Sequence, residues 1–196
     1  MMMHSFDASK ATIEALTQHN IIPDVINPNF VKPLGVLSAE YSKEEPVAMG
    51  NQLTIKGTQS KPTVHFAPEE AALKPSDLLT LVITDPDAPS RADKKWSEFC
   101  HYVESDIKVS ETEGGILENG KVLQSYVGPA PPAGTGPHRY VFLLYKQPGG
   151  VTAPQLTEIK GRPNWGYGTP ATGVEKWATE NKLEPIGVNF FFAESS

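Results

Sequence analysis

The stretch 78-LLTLVITDPDAPSR-91, together with 136-GPHRYVFLLY-145, decides the fold. Residues 78–84 are aliphatic and β-branched and too few for a free-standing helix, so they read as a buried strand. They run into Asp85-Pro86-Asp87, two carboxylates separated by a residue of fixed φ. The second stretch starts its apolar run beside His138, and residues 140–145 read as another buried strand. Carboxylates at the end of one core strand and an imidazole at the start of another frame a pocket.

Working outward, shorter alternating runs at residues 37–41, 53–55, 64–66, 99–104, 122–127 and 187–192 predict further strands. Eighteen prolines and sixteen glycines are spread along the 196 residues rather than gathered in one tract. That spread favours many turns between short strands over a helical bundle. The expected fold is therefore mainly β: one domain over residues 1–196, an antiparallel β-sandwich with short peripheral helices. One helix is expected up to Asn20, capped by Asp7 or Ser9, with Phe6, Ile13 and Leu16 on one face. Thr172 and Glu175 fit a capping box for a second helix over residues 173–181, which would bury Val174, Trp177 and Ala178.

A formal net charge of −6 argues against nucleic-acid binding, which requires a basic face, and against strong attraction to anionic membranes. The single cysteine, Cys100, excludes an internal disulfide and suits a reducing compartment. The opening residues lack the apolar core of a signal peptide, and residues 140–145 are too few to span a bilayer. A cytoplasmic protein with at most peripheral membrane contact is expected.

Strand alternation assigns faces. Phe99, His101 and Val103 share one, and Cys100, Tyr102 and Glu104 take the other. Asp85 shares a row with Ile83 and Leu81, and His138 leads a row containing Tyr140, Phe142 and Leu144. If the strand ends meet, Asp85, Asp87, His101 and His138 converge at one rim. Carboxylates there would orient a histidine and raise its proton affinity, and the histidine could donate to a phosphate or carboxylate oxygen. The Gly/Pro loop 128–134 would add backbone N–H donors with little bulk. Such a site suits a compact anionic head group.

Plainer readings stand beside this one. The Asp and His residues can be satisfied structural groups, and the loop can be a polyproline segment for a partner domain. A hydrolase acting on a phosphorylated or esterified small molecule through the Asp/His cluster is the enzymatic alternative. Adjacent strand residues point apart, which disfavours a Cys100–His101 pair. The histidine spacing has no metal-ligand signature, no nucleotide-binding fingerprint is present, and no cofactor or metal is expected.

The segments DPDAPS (residues 85–90) and GPHRY (136–140) resemble the signature of the phosphatidylethanolamine-binding protein family. That family includes Raf kinase inhibitor proteins and plant flowering regulators. PVAMGN (46–51), KWSEFCH (95–101), GPAPPAGTGPHRYVFLLYKQP (128–148) and RPNWGYGTPATG (162–173) are most similar to its fungal carboxypeptidase-inhibitor branch. The resemblance implies a non-catalytic protein with a pocket for phosphate, acetate or phosphorylethanolamine. It also implies inhibition of a serine carboxypeptidase or restraint of a signalling kinase. Carried over by motif, the ligand-binding residues are Asp85, Asp87, His101, Gly128, Ala130, Pro131 and His138. Pro89, in a cis turn with Ala88, Phe99 and Phe191 form the wall. Phe99 and Phe191 stand where animal members have tryptophan and tyrosine, and Ala130 where they have glycine. In the inhibitor branch the N-terminal segment blocks the protease, so residues 1–20 are a candidate inhibitory arm, with a covering helix as the bland alternative.

Overall fold

In the computed structural model, which describes residues 2–30, 32–111 and 113–195, the long apolar runs line up in one sheet. The helices are α1 (Met2–Gln18), the one-turn α2 (Ile21–Asp24) and α3 (Val174–Glu180). The strands are β1 (Gly35–Glu40), β2 (Pro46–Val47), β3 (Asn51–Gln52), β4 (Thr63–Pro68), β5 (Leu78–Asp85), β6 (Phe99–Lys108), β7 (Lys121–Gln124), β8 (His138–Lys146) and β9 (Glu184–Ala193). A six-stranded sheet runs β3-β9-β8-β5-β6-β7, and a three-stranded sheet runs β2-β1-β4. Neighbouring strands are antiparallel except β3 beside β9. No helix among the described residues is long and apolar enough to cross a membrane.

The first stretch quoted above is the middle of the larger sheet. β5 lies between β6 and β8, and it is buried from Leu79 to Asp85 because both of its faces are covered. Leu79, Leu81 and Ile83 pack with Tyr140, Phe142 and Leu144 against Leu37, Val64 and Phe66 of the smaller sheet. Val82, Val141 and Leu143 face the other way, onto Leu16, Ile21, Trp165, Val174 and Trp177. The sandwich is thus flanked by helices and turns on one side. Each fully buried aliphatic side chain contributes about 1.5–3 kcal/mol to that packing.

Several elements depart from the sequence expectations. Residues 53–55 are not a strand; pairing with β9 is made by Asn51–Gln52, and Lys56–Thr58 forms a 3-10 turn. α1 begins at Met2, before the expected cap, and Asn20 ends it in the left-handed region (φ 56°). Phe6 and Asp7, named for its face and its cap, lie outside the residues whose side chains are described. α3 forms as expected and buries Val174, Trp177 and Ala178, but without a capping box. Instead Glu98 Oε1 accepts the Val174 N–H at 3.1 Å.

Alternation in β6 also breaks. Tyr102 pairs with Ile83 and Cys100 with Thr84, so His101 is an extra, bulged residue. Val103 therefore joins Cys100 in the helix-side core, and Tyr102 joins the sandwich side. Arg162 holds this kink, donating from Nη1 to the Cys100 carbonyl at 3.0 Å.

Candidate ligand-binding site

The C-terminal end of β5, the start of β6 and the start of β8 meet at one rim, as their pairing dictates. Asp85 leaves β5 buried, and its two oxygens are used separately. Oδ1 accepts the Asp87 N–H at 2.6 Å, closing a turn, and Oδ2 meets His138 Nδ1 at 2.9 Å. His138 Nε2 lies 3.0 Å from Thr135 Oγ1, so both ring nitrogens are held. The Ala88–Pro89 peptide is cis and sets Pro89 against the rim.

His101 enters from the bulge. Its Nδ1 is 2.6 Å from the Val127 carbonyl, which can only accept, so Nδ1 carries the proton. Nε2 has no partner among the described residues and is the atom left for a ligand. Phe99 and Tyr140 flank the ring at 4.9 and 5.3 Å. Burial is the main influence on this imidazole and pushes its pKa below 6.5; the Asp85 charge opposes the shift and Arg162 adds to it.

These groups surround a cavity of about 150 Å3 lined by Asp85, Ala88, Pro89, Trp96, Phe99, His101, Val127, Gly128, Ala130, Pro131, Pro132, His138 and Tyr140. The space is large enough for several waters or one small polar group. Gly128 has a steric reason as well: a Cβ there would sit 2.9 Å from Gln59 Cα. Gln59 in turn donates to the Pro129 carbonyl at 2.8 Å and steadies the loop. A larger cavity of about 280 Å3 lies between residues 26–30, α3 and the start of β9, but Glu175 is its sole charged lining residue.

Of the residues named from sequence, Asp85, Pro89, Phe99, His101, Gly128, Ala130, Pro131 and His138 are brought together around the cavity. Two are not. Asp87 is fully buried away from it and pairs with Arg139: Oδ1 receives Nη2 at 2.7 Å, and Oδ2 receives Nε at 2.9 Å. An acid between two pocket motifs is easily assigned to the pocket, but the neighbouring arginine claims this one. Phe191 is fully buried behind Tyr140, stacked on it at 5.1 Å, and backs the wall without lining it.

Tyr140 was missed as a site residue because its place in an apolar row marks it as core. Its hydroxyl is nevertheless the one buried side-chain polar atom among the described residues without a hydrogen-bond partner. A buried unpaired hydroxyl costs free energy, and this one belongs to a residue of the cavity wall. Trp96, a half-exposed side chain at the mouth, was also missed.

Cys100 points into the opposite core, and burial pushes its thiol up to about 12, far from a reactive thiolate. Among the described residues no three His, Cys, Asp or Glu side chains are grouped to hold a metal.

Residues 38–191 match the sequence profile of the phosphatidylethanolamine-binding protein family. The chain belongs to this family. As a family member it is 48% identical to the carboxypeptidase Y inhibitor of Saccharomyces cerevisiae, an alignment covering 99% of this chain and all of that one. It is 40% identical to an uncharacterized protein of the same yeast over 96% of each chain. Its fold superposes with a TM-score of 0.90 on the crystal structure of carboxypeptidase Y inhibitor complexed with its cognate proteinase, at 50% identity over 96% of this chain and 97% of that one. A phosphatidylethanolamine-binding protein from Plasmodium falciparum matches with a TM-score of 0.70 at 27% identity, over 93% of this chain and 96% of that one.

Proposed function

We propose that this protein is a non-catalytic, cytoplasmic inhibitor of a serine carboxypeptidase, with residues 1–20 as its inhibitory arm and the cavity as a site for a compact anion. The observation that carries the inhibitory part is the likeness, over nearly the whole of both chains, to a carboxypeptidase Y inhibitor whose structure with its proteinase shares this fold. The same likeness favours a carboxypeptidase over a signalling kinase as the target.

α1 supports the arm. Of its described side chains, Ser9 to Gln18, only Leu16 is buried, and Lys10, Ala11, Glu14, Thr17 and Gln18 are exposed to a partner. The test is inhibition of a carboxypeptidase Y-type enzyme by the full chain and by a variant lacking residues 1–7. Loss of inhibition with an unchanged circular dichroism spectrum is expected. Equal potency of the two would sink the arm.

For the cavity, His101 Nε2 is without a partner among the described residues, Tyr140 brings a buried unpaired hydroxyl to the wall, and Asp85 with His138 completes it. A phosphate or phosphorylethanolamine oxygen can accept from Tyr140 and from a protonated His101. Calorimetry with phosphate should show binding that His138→Ala removes; equal affinity in both proteins would rule the cavity out.

A further inference from the structure

The two signature stretches contain arginines that the cavity does not use. Arg139 follows His138 in β8, yet it is fully buried on the far side of the strand from the cavity. Its Nε and Nη2 grip Asp87 as a fork. Its Nη1 donates to the carbonyls of His19 at 3.0 Å and Asn20 at 3.1 Å, and to Asp24 Oδ2 at 2.9 Å. Arg91, which ends the DPDAPSR stretch, reaches the His19 carbonyl at 3.4 Å and lies 4.0 Å from Asp87.

The His19 and Asn20 carbonyls lie just past the C-terminal end of α1, where the helix dipole favours a cation, and the Asn20 carbonyl also accepts the Asp24 N–H at 3.1 Å. α1 has no basic residue in its own last turn. The cation comes from β8, nearly 120 residues away, at the point where the chain leaves α1 through the left-handed Asn20. Five guanidinium donors in one plane let a single side chain bind Asp87 of the sandwich and the root of the helix together. An ammonium cannot span both.

We propose that Arg139, with Asp24 and Asp87, is a positioning clasp that fixes the root, and hence the direction, of the N-terminal arm. This rests on the inhibitory reading of residues 1–20 and adds to it. The conformational freedom of an arm is an entropic cost of binding, and a clasp removes part of that cost before the partner arrives. The signature motifs then serve two sites. Asp85, Pro89, His138 and Tyr140 face the cavity, while Asp87, Arg91 and Arg139 face the arm.

The test uses the full chain with Arg139→Lys and, because a buried arginine can be needed for folding, the milder Asp24→Asn. Asp24 is partly exposed, and among the described residues its carboxylate binds Arg139 and, at 3.6 Å, Lys94. Three quantities are measured: amide hydrogen exchange over residues 13–25, inhibition of the carboxypeptidase, and phosphate binding by calorimetry. Exchange several-fold faster, confined to those residues, with inhibition weaker by roughly tenfold and phosphate affinity unchanged, is the expected result. Unchanged exchange in Asp24→Asn would overturn the clasp. Faster exchange with full potency would overturn its role in positioning, and acceleration spread evenly over β5 and β8 would reduce it to a general stability effect. If the arm itself is not inhibitory, deletion of residues 1–7 leaves potency unchanged in the parent protein, which separates that failure from failure of the clasp.

Discussion

Replacing Glu98 by glutamine should remove a pH dependence of stability that the wild-type protein shows between about pH 5 and pH 8. Glu98 is buried where β6 begins. Its Oε1 accepts the Val174 N–H at 3.1 Å and the Thr84 hydroxyl at 3.0 Å, and that hydroxyl in turn accepts Trp165 Nε1–H at 3.0 Å. The carboxyl so holds α3 to the sheet. Burial pushes its pKa from 4.5 up to about 7, the two hydrogen bonds opposing and the charges of Glu175 and Asp85 assisting. The folded protein therefore keeps a proton that the unfolded chain releases above 4.5. The stabilisation is fully present below 4.5, declines as pH rises, and is gone above about 7. At about 1.4 kcal/mol per pH unit, the effect is limited to about 3 kcal/mol. Glutamine keeps the oxygen that accepts from Val174 and Thr84 but cannot ionise. Urea unfolding of both proteins across that range is the assay. The stability difference between them should change by roughly 2–3 kcal/mol from the acid to the alkaline end, while other titrating groups, His101 included, cancel in the subtraction. Parallel pH curves for the two proteins would refute the placement of an ionisable, desolvated carboxyl at this cap.

Tyr140→Phe should leave stability unchanged or raise it by about 1 kcal/mol in thermal unfolding, since it removes an unpaired hydroxyl, yet weaken phosphate binding about tenfold by calorimetry. A fall in stability with unchanged affinity would mean that the hydroxyl serves the fold. Because burial holds the His101 pKa below 6.5, the affinity for sulfate, whose charge is constant over this range, should keep rising as pH falls below 6.5. A titration that levels off above that value would contradict the buried imidazole. Phe191→Ala should cost about 3–5 kcal/mol in urea unfolding, the cost of a cavity behind Tyr140, and a loss under 1 kcal/mol would show that Phe191 is not packed as described.

Much of the architecture was legible. Residues 78–84 contain no helical period, and they form β5 as expected, extended only to Asp85. Asp85 and His138 could be set on core-side rows by alternation alone, and both line the cavity. Alternation failed just past His101 because a bulge adds one residue and reverses the faces of Tyr102 and Val103, which no local pattern announces. The cap of α3 was misassigned for a related reason. Thr172 and Glu175 have the right spacing, but a carboxylate from 76 residues earlier occupies the amide first.

Composition and alternation determined by themselves that this chain builds a β-sandwich and that a carboxylate and an imidazole end two of its central strands. Burial of apolar side chains at a period of two is a short-range property, written in consecutive residues. Tertiary structure alone decided that Asp87 belongs to Arg139, that Phe191 stands behind Tyr140, and that the buried Tyr140 hydroxyl is left without a partner among the described residues. A buried charge or hydroxyl must find a partner, and the candidates lie on strands distant in sequence. Which of them arrives within hydrogen-bonding distance is set by register, bulge and packing.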